Sequence, residues 1–259
     1  MQNTSHAVMA QRAEGKKSLD DFPTPLWATR ALIESVLRKE TIVTKTCLEP
    51  ACGRGYMAVA LAEYFERVQS QDIFDYGFGS VGDFLESKPS PGLFDWVITN
   101  PPFRLAEDFI QHALPIARVG VAMLVRTVFI ESVRRYERLF QPCPPTSVAQ
   151  FAERVPMVKG RIDKKASTAT GYAWVVWDKT RQGKTELVWI PPCRKALERD
   201  GDYVQTLKMP RLAVLARRRL RSVNDFSARI RVERLFRSMV VIFCQALENE
   251  LEFVAFFFV

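Results

Sequence analysis

Apolar runs and amphipathic stretches alternate along the first half of the chain. The runs FDWVIT at 94–99 and VGVAMLV at 119–125 are nearly continuous in apolar residues, as in strands buried on both faces of a parallel sheet. Other segments repeat apolar positions at helical spacing. Helices are predicted at 26–37, 56–65, 105–117 and 134–140, and strands at 46–50, 68–73, 94–99 and 119–125. This alternation predicts an α/β fold with a mostly parallel sheet and helices on both faces.

The second half of the chain has a different texture. Residues 159–165 (KGRIDKK) are basic and turn-rich. Residues 171–178 (GYAWVVWD) alternate as a strand, and residues 186–190 (ELVWI) are predicted as the hairpin partner of that strand. The hairpin would close the sheet.

Three parts are predicted along the chain: a flexible arm at 1–20, one globular domain at 21–196, and an extension at 197–259. The extension is rich in arginine and then turns apolar, ending in FVAFFFV. Two interpretations of it stay open. It is either an arm that follows a nucleic-acid backbone or a tail produced by an altered reading frame.

Composition and charge narrow the class of protein. The 259 residues include 37 Lys and Arg against 29 Asp and Glu, giving a net charge of +8, which favours polyanionic partners. The five cysteines contain no CxxC pair, so neither a metal site nor a disulfide framework is expected. The start of the chain lacks the apolar core of a signal peptide, and glutamates interrupt the apolar stretch 239–259. A cytoplasmic protein without a membrane partner is expected.

Acidic residues and a glycine loop fall where predicted strands end. Glu49 closes the first strand and precedes a loop, Ala51 to Gly55, in which Gly53 and Gly55 let the backbone approach a ligand closely. Asp72 ends the second strand, about where an acid meets ribose hydroxyls in doubly wound folds. Asp83 lies at a third junction. Each feature alone is equally compatible with an ordinary turn or a solvated acid.

The tetrapeptide Asn100-Pro101-Pro102-Phe103 directly follows the strand FDWVIT. Two prolines fix the backbone and remove two amide donors, so the turn offers carbonyl oxygens and an Asn amide. Such acceptors suit a planar amine, because they draw electron density onto its nitrogen while Phe103 stacks on the ring. A plain β-turn is the alternative interpretation.

Taken in order, DFPTP, EPACGRGYM, Asp72, GDF and NPPF resemble the motifs of S-adenosylmethionine-dependent amino-methyltransferases. The likeness is greatest to gamma-class adenine DNA methyltransferases and their small phage and prophage relatives, and it covers about residues 20 to 195. It implies a Rossmann-like class I methyltransferase fold with a seven-stranded sheet, S-adenosylmethionine as cofactor, and methyl transfer to an adenine amino nitrogen in DNA, in preference to RNA.

The resemblance also implies a role for individual residues. The residues implied for cofactor binding are Phe22, Thr24, Pro25, Glu49, Ala51, Gly53, Gly55, Asp72, Asp83 and Phe84. Those implied for the target amine are Asn100, Pro101, Pro102 and Phe103. A basic loop at the mouth of the base pocket would contact nucleic acid through Lys159, Arg161, Lys164 and Lys165, with a solvated loop as the alternative. Ser167, Thr168 and Tyr172 would lie near the flipped base.

The sequence departs from the pattern of this family at one point, and three alternative functions stay open. The chain after the catalytic sheet does not resemble the large target-recognition domain of enzymes that read long sites. The substrate amine could instead belong to an RNA base, a cytosine or a protein glutamine. A non-catalytic nucleic-acid binder of the same fold, and an interaction protein that docks through its basic tail, are the other two.

Overall fold

The structure, a computed structural model, describes residues 20–203. The expectations for the arm at 1–19 and for the extension from 204 onward therefore lie outside the described residues. Within the described part, no helix has both the length and the apolar character needed to cross a membrane.

An eight-stranded sheet forms the centre of the fold, with the strands in the order β3-β2-β1-β4-β5-β7-β6-β8. The strands are β1 (Thr46–Glu49), β2 (Arg67–Asp72), β3 (Ser80–Val81), β4 (Phe94–Thr99), β5 (Ala117–Arg126), β6 (Ser147–Phe151), β7 (Tyr172–Asp178) and β8 (Glu186–Ile190). Only β7 runs antiparallel to its neighbours. The sheet is mostly parallel, as expected, with eight strands rather than seven.

Helices cover both faces of this sheet. They are α1 (Leu26–Leu32), α2 (Tyr56–Ala62), α3 (Ala106–Ile116), α4 (Val133–Arg135) and α5 (Arg194–Leu197). Successive residues of the central strands alternate between two apolar clusters: Ala122 and Leu124 join the cluster of α1 and α2, whereas Val121, Met123 and Val125 join that of α3. Burial on both faces explains why β4 and β5 are apolar almost throughout.

The hairpin predicted between 171–178 and 186–190 is wrong. β8 pairs in parallel with β6, and β6 pairs antiparallel with β7, so β6 lies between the two predicted partners. The reason is visible in the burial of β6, whose first, third and fifth residues are buried while the others are half-buried. That pattern makes β6 a better neighbour for the buried β7 than the mostly exposed β8 would be.

The predicted helices are shorter than their apolar patterns. α1 ends at Leu32, and the chain continues through a wider π-helical turn, Ile33–Leu37, before Arg38 adopts a φ of 60°. Likewise, the helix expected at 134–140 is one turn of α4 followed by a π-helical turn, Tyr136–Phe140.

Arg30 of α1 ties the last described residues to the sheet domain. Its buried guanidinium donates to both oxygens of Glu63 at 2.7 and 2.9 Å, to both oxygens of Asp202 at 2.6 and 2.9 Å, and to the carbonyl of Leu197 at 2.7 Å. Residues 197–203, predicted as the start of the extension, are therefore bonded to α1.

Candidate active site

The carboxyl ends of the parallel strands bring the predicted site residues to one edge of the sheet. Glu49 ends β1, Asp72 ends β2, and Asn100 follows β4. Arg126 ends β5 and is paired in register with Tyr172, where the antiparallel β7 begins. This is the edge at which ligands bind in open α/β sheets.

The glycine loop closes onto the end of β2. The Cys52 amide donates to the Gln71 carbonyl at 2.9 Å, and the Gly53 amide donates to the Asp72 carboxylate at 2.8 Å. The other oxygen of Asp72 accepts from the Phe74 amide at 3.0 Å. Burial raises the pKa of Asp72, and these two amide donors oppose that rise. The loop and the acid thus form one hydrogen-bonded unit.

Glu49 is a buried acid without a complete set of partners. It is 2% exposed, and its Oε2 atom accepts no hydrogen bond in the structure. Burial, together with the nearby charge of Asp72, raises the pKa of Glu49 well above its ordinary value. A buried carboxylate of this kind favours a cationic ligand, because a cation would stabilise its charged form.

The raised pKa of Glu49 predicts how the stability of the ligand-free protein changes with pH. Between the unfolded and folded pKa values, the folded chain binds more protons than the unfolded chain, so the free energy of unfolding falls as pH rises. Glu49→Gln removes this group, and we expect the Tm of the variant to decline less than that of the wild type as pH rises above about 4.3, the pKa of an unfolded glutamate. Parallel Tm profiles for the variant and the wild type would contradict the assignment.

Two glycines of the loop provide a matched pair of substitutions. Both adopt left-handed backbone, with φ of 50° at Gly53 and 87° at Gly55. A Cβ on Gly53 would meet nothing within 4 Å, whereas one on Gly55 would lie 2.5 Å from the ring of Phe78. Phe78 was not predicted from the sequence.

We therefore expect Gly55→Ala to cost more than Gly53→Ala. Each substitution pays about 1–2 kcal/mol for left-handed backbone in an L-residue, and Gly55→Ala must also displace the Phe78 ring. Chemical denaturation measures the difference, and Phe78→Ala in the Gly55→Ala background should remove it. Equal losses for both glycines would show that the ring contact is unimportant.

Asp83 and Phe84 lie apart from the loop contacts. The Asp83 carboxylate accepts from the Leu85 amide at 2.9 Å and so stabilises its own turn. Phe84 is 2% exposed and packs against Phe109 and His112, with ring centroids 5.1 and 4.7 Å away. The contacts of Phe84 on this side belong to the core around α3.

The side-chain amide of Asn100 is held in one orientation. Its Nδ2 donates to the Phe22 carbonyl and to Thr24 Oγ1, both at 3.1 Å. Because a backbone carbonyl only accepts, the nitrogen must face Phe22, which settles which end of the amide is which. The Oδ1 atom is buried and has no donor in the structure.

Residues 20–25, which we call the N-terminal strap, cross the NPPF turn. Asp20 accepts from the Phe103 amide at 2.8 Å, and the rings of Phe22 and Phe103 lie 5.6 Å apart. Thr24 and Pro25 are buried, and Pro25 leads into α1. The strap residues implied to border the cofactor thus contact the NPPF turn directly.

The ring of Phe103 is surrounded by residues from β5 and β7. The Arg126 guanidinium lies 3.8 Å from its centroid, and the Tyr172 ring lies 6.3 Å away. Arg126 Nε is buried and donates no hydrogen bond in the structure. Sequence reasoning missed Arg126 and Asp20, although an arginine at the end of a buried strand is a usable signal.

The basic loop, residues 159–165, contacts the N-terminal strap and lies beside the glycine loop. The Gly160 amide donates to the Asp21 carbonyl at 2.8 Å, and Lys159 helps to line a cleft of about 460 Å³ with Arg54 and Tyr76. Much of the loop's charge is paired: Arg161 lies 3.3 Å from Asp163, and Lys164 lies 3.9 Å from Asp200. The Lys165 side chain is exposed.

No cluster of His, Cys, Asp and Glu suited to a metal ion occurs within residues 20–203. The described cysteines are free thiols, among them the buried Cys47 and Cys52. Burial is the largest cause of the raised pKa of Cys52, and Glu49 adds to it. A thiol in that state is a poor nucleophile at neutral pH.

By sequence, no protein family and no curated protein matches the chain. Solved structures resemble it in fold. One from Pyrococcus horikoshii, provisionally described as an RNA methyltransferase, is 18% identical, covers 66% of this chain and 95% of its own, and gives a TM-score of 0.48. One from Listeria monocytogenes is provisionally described as a class I S-adenosylmethionine-dependent methyltransferase. It is 12% identical, the alignment covers 67% of this chain and 67% of its own, and the TM-score is 0.48.

A third is the modification subunit of a provisionally described type I restriction enzyme from Vibrio vulnificus. It is 15% identical, the alignment covers 73% of this chain and 50% of its own, and the TM-score is 0.47. At such identities the likeness concerns the fold alone. The mostly parallel sheet with helices on both faces confirms the Rossmann-like α/β fold class expected from the sequence.

Proposed function

We propose that the chain transfers a methyl group from S-adenosylmethionine to the exocyclic amino nitrogen of adenine in DNA. The observation that carries the proposal is the state of the Asn100 amide. Its nitrogen is committed to Phe22 and Thr24, so its oxygen is the half left for a substrate donor. A planar amine beside an aromatic ring is the ligand that such an acceptor suits.

The two acids at the ends of β1 and β2, Glu49 and Asp72, suit the groups of the proposed cofactor. The orphaned Glu49 oxygen suits an ammonium group, and each Asp72 oxygen keeps a lone pair for a ribose hydroxyl after accepting one amide hydrogen bond. When bound, S-adenosylmethionine supplies an electrophilic methyl group. Glu49 and Asp72 would hold it, with Gly53 and Gly55 allowing close approach.

The chain's own contribution to the reaction is orientation and hydrogen bonding. Asn100 Oδ1 accepts one amino hydrogen of the target base. The Pro102 carbonyl already accepts from the Leu105 amide at 2.9 Å, so the Pro101 carbonyl is the second acceptor. Phe103 stacks on the ring. Both hydrogen bonds would raise electron density on the amino nitrogen and orient it toward the methyl group that the bound cofactor would supply; the N–C bond would form as the C–S bond broke, and the surplus proton would pass to water.

A polynucleotide substrate agrees with the net charge of +8. A base in a duplex must leave the stack to reach the half-buried Asn100, which costs about a few kcal/mol. Phosphate contacts near the site have to offset that cost.

The deciding experiment offers labelled S-adenosylmethionine to unmethylated DNA, RNA and protein in parallel, followed by nucleoside and amino-acid analysis. We expect label in methyladenine from DNA. Label in an RNA base, in cytosine or in protein glutamine would replace the substrate and keep the amine chemistry. No label in any of them, with the cofactor still bound, would refute the proposal in favour of a non-catalytic binder.

A further inference from the structure

A second cleft has Phe103 in its wall, and its lining includes no residue of the strap. It has a volume of about 370 Å³ and lies between the turn into α3 and the segment that follows β5. Phe103 therefore lines both the target-amine turn and this cleft. Its other walls include four arginines: Arg104, Arg134, Arg135 and Arg138.

We call this second cleft the arginine cleft. The positive charge of its walls is only partly neutralised. Its walls carry four guanidinium groups against two carboxylates, Glu107 and Asp108. Arg138 pairs with Glu107 at 3.3 Å. Arg104 and Arg134 are exposed and form no ion pair with any residue of 20–203. Two cationic groups are thus available to an anionic ligand.

Unlike Arg104 and Arg134, Arg135 is held by contacts within the protein. It donates to the Phe129 carbonyl, and its guanidinium lies 4.5 Å from the centre of the Phe129 ring. These contacts fix the wall of the cleft, so that Arg134 is carried on a short, braced element, α4.

The segment that carries Arg134 also exposes apolar side chains. Val128, Ile130, Val133 and Tyr136 all lie in residues 127–136 and are exposed. Guanidinium groups interleaved with aliphatic and aromatic groups suit a single strand of nucleic acid, whose phosphates are anionic and whose bases are apolar on their faces. A chain of acidic residues alone, such as polyglutamate, would use the charges and leave the apolar groups without partners.

We infer that the arginine cleft binds the sugar-phosphate backbone of the nucleic-acid strand that carries the target base, with Arg104 and Arg134 at its phosphates. This inference rests on the proposed function for the meaning of "target base". Continuity with Phe103 places the phosphates within reach of a base at the NPPF turn. The arginine cleft offers unpaired guanidinium groups, whereas Arg161 and Lys164 of the basic loop have acidic partners.

The test measures binding of a fluorescent single-stranded DNA oligonucleotide to the full-length protein, without cofactor. The test variant is Arg104→Gln with Arg134→Gln. The matched control is Arg67→Gln with Lys184→Gln, which removes the same charge from exposed positions at the opposite edge of the sheet. We expect the test variant to bind on the order of tenfold more weakly, and the slope of log K against log salt to fall by about 1.4. The control should bind like the wild type.

Three results would overturn the inference. They are equal losses in the test and control variants, failure of the wild type to bind the oligonucleotide, and competition by polyglutamate as effective as competition by DNA at equal charge. Failure of the proposed function is distinguishable from these. Binding that depends on the arginine cleft, without methyl transfer to any substrate, would leave the cleft as a nucleic-acid site and remove the catalytic proposal together with the target base.

Discussion

Asn100→Ala is expected to lower kcat for methyl transfer by about 10²–10³-fold or more, while the Kd for S-adenosylmethionine stays close to that of the wild type. The substitution removes the Oδ1 acceptor from the amino group and leaves Glu49 and Asp72 untouched. Single-turnover transfer of labelled methyl groups measures the rate, and calorimetry measures cofactor binding. Full activity in the variant would remove the NPPF turn from the mechanism.

Two further variants separate chemistry from cofactor binding and from positioning. Asp72→Ala should do the reverse of Asn100→Ala and lose cofactor affinity, because it removes the proposed ribose contact. Thr24→Val deletes one of the three acceptors of Asn100 Nδ2, at 3.1 Å, and leaves the Phe22 carbonyl and Met157 Sδ in place. As a positioning residue, Thr24 should affect kcat more than KM. An unchanged kcat would show that the remaining acceptors orient the amide without Thr24.

Arg30→Met is expected to destabilise the protein by about 3–5 kcal/mol, because it leaves the buried Asp202 carboxylate without a counter-charge. Arg30 is 2% exposed, and Asp202 on its far side is 5% exposed. Burial alone would lower the pKa of the guanidinium, but Glu63 and Asp202 outweigh it and raise that pKa. Thermal denaturation should show a fall in Tm on the order of 10 °C.

The control for Arg30 uses a second arginine on the same carboxylate. Arg199 lies 3.1 Å from Glu63, but its side chain is 61% exposed. Arg199→Met should therefore cost less than about 1 kcal/mol. A comparable loss for both variants would mean that burial of the ion pair does not decide its contribution. Asp202→Asn combined with Arg30→Met should recover part of the loss, since it removes one stranded charge.

The central sheet was predictable because its strands are buried on both faces. Continuous apolar runs marked β4 and β5, and the glycine loop marked the junction between β1 and α2. β3 has two residues and β6 alternates over only five, so neither has a pattern long enough to recognise. The hairpin prediction was wrong because the partner of a strand is decided by tertiary packing, here by β6, and not by nearness in sequence.

The candidate site was predictable where its residues follow strands directly. Glu49, Asp72 and Asn100 could be placed at one edge because parallel strands share their carboxyl ends. Asp20 contacts the NPPF turn from a distant part of the chain, and no local sequence pattern indicates such a contact. The cofactor and target roles of all these residues stay predictions.

The N-terminal strap makes the orientation of Asn100 a late event in folding. The two hydrogen bonds from Asn100 to the strap join residues that are 78 and 76 positions apart in the chain. The intervening loop must therefore close before either bond can form. Contacts of long sequence separation form slowly, since their loop-closure entropy is lost before they contribute any stabilisation. Refolding chains should therefore recover the circular dichroism of the sheet and helices before they recover the capacity to bind a target amine.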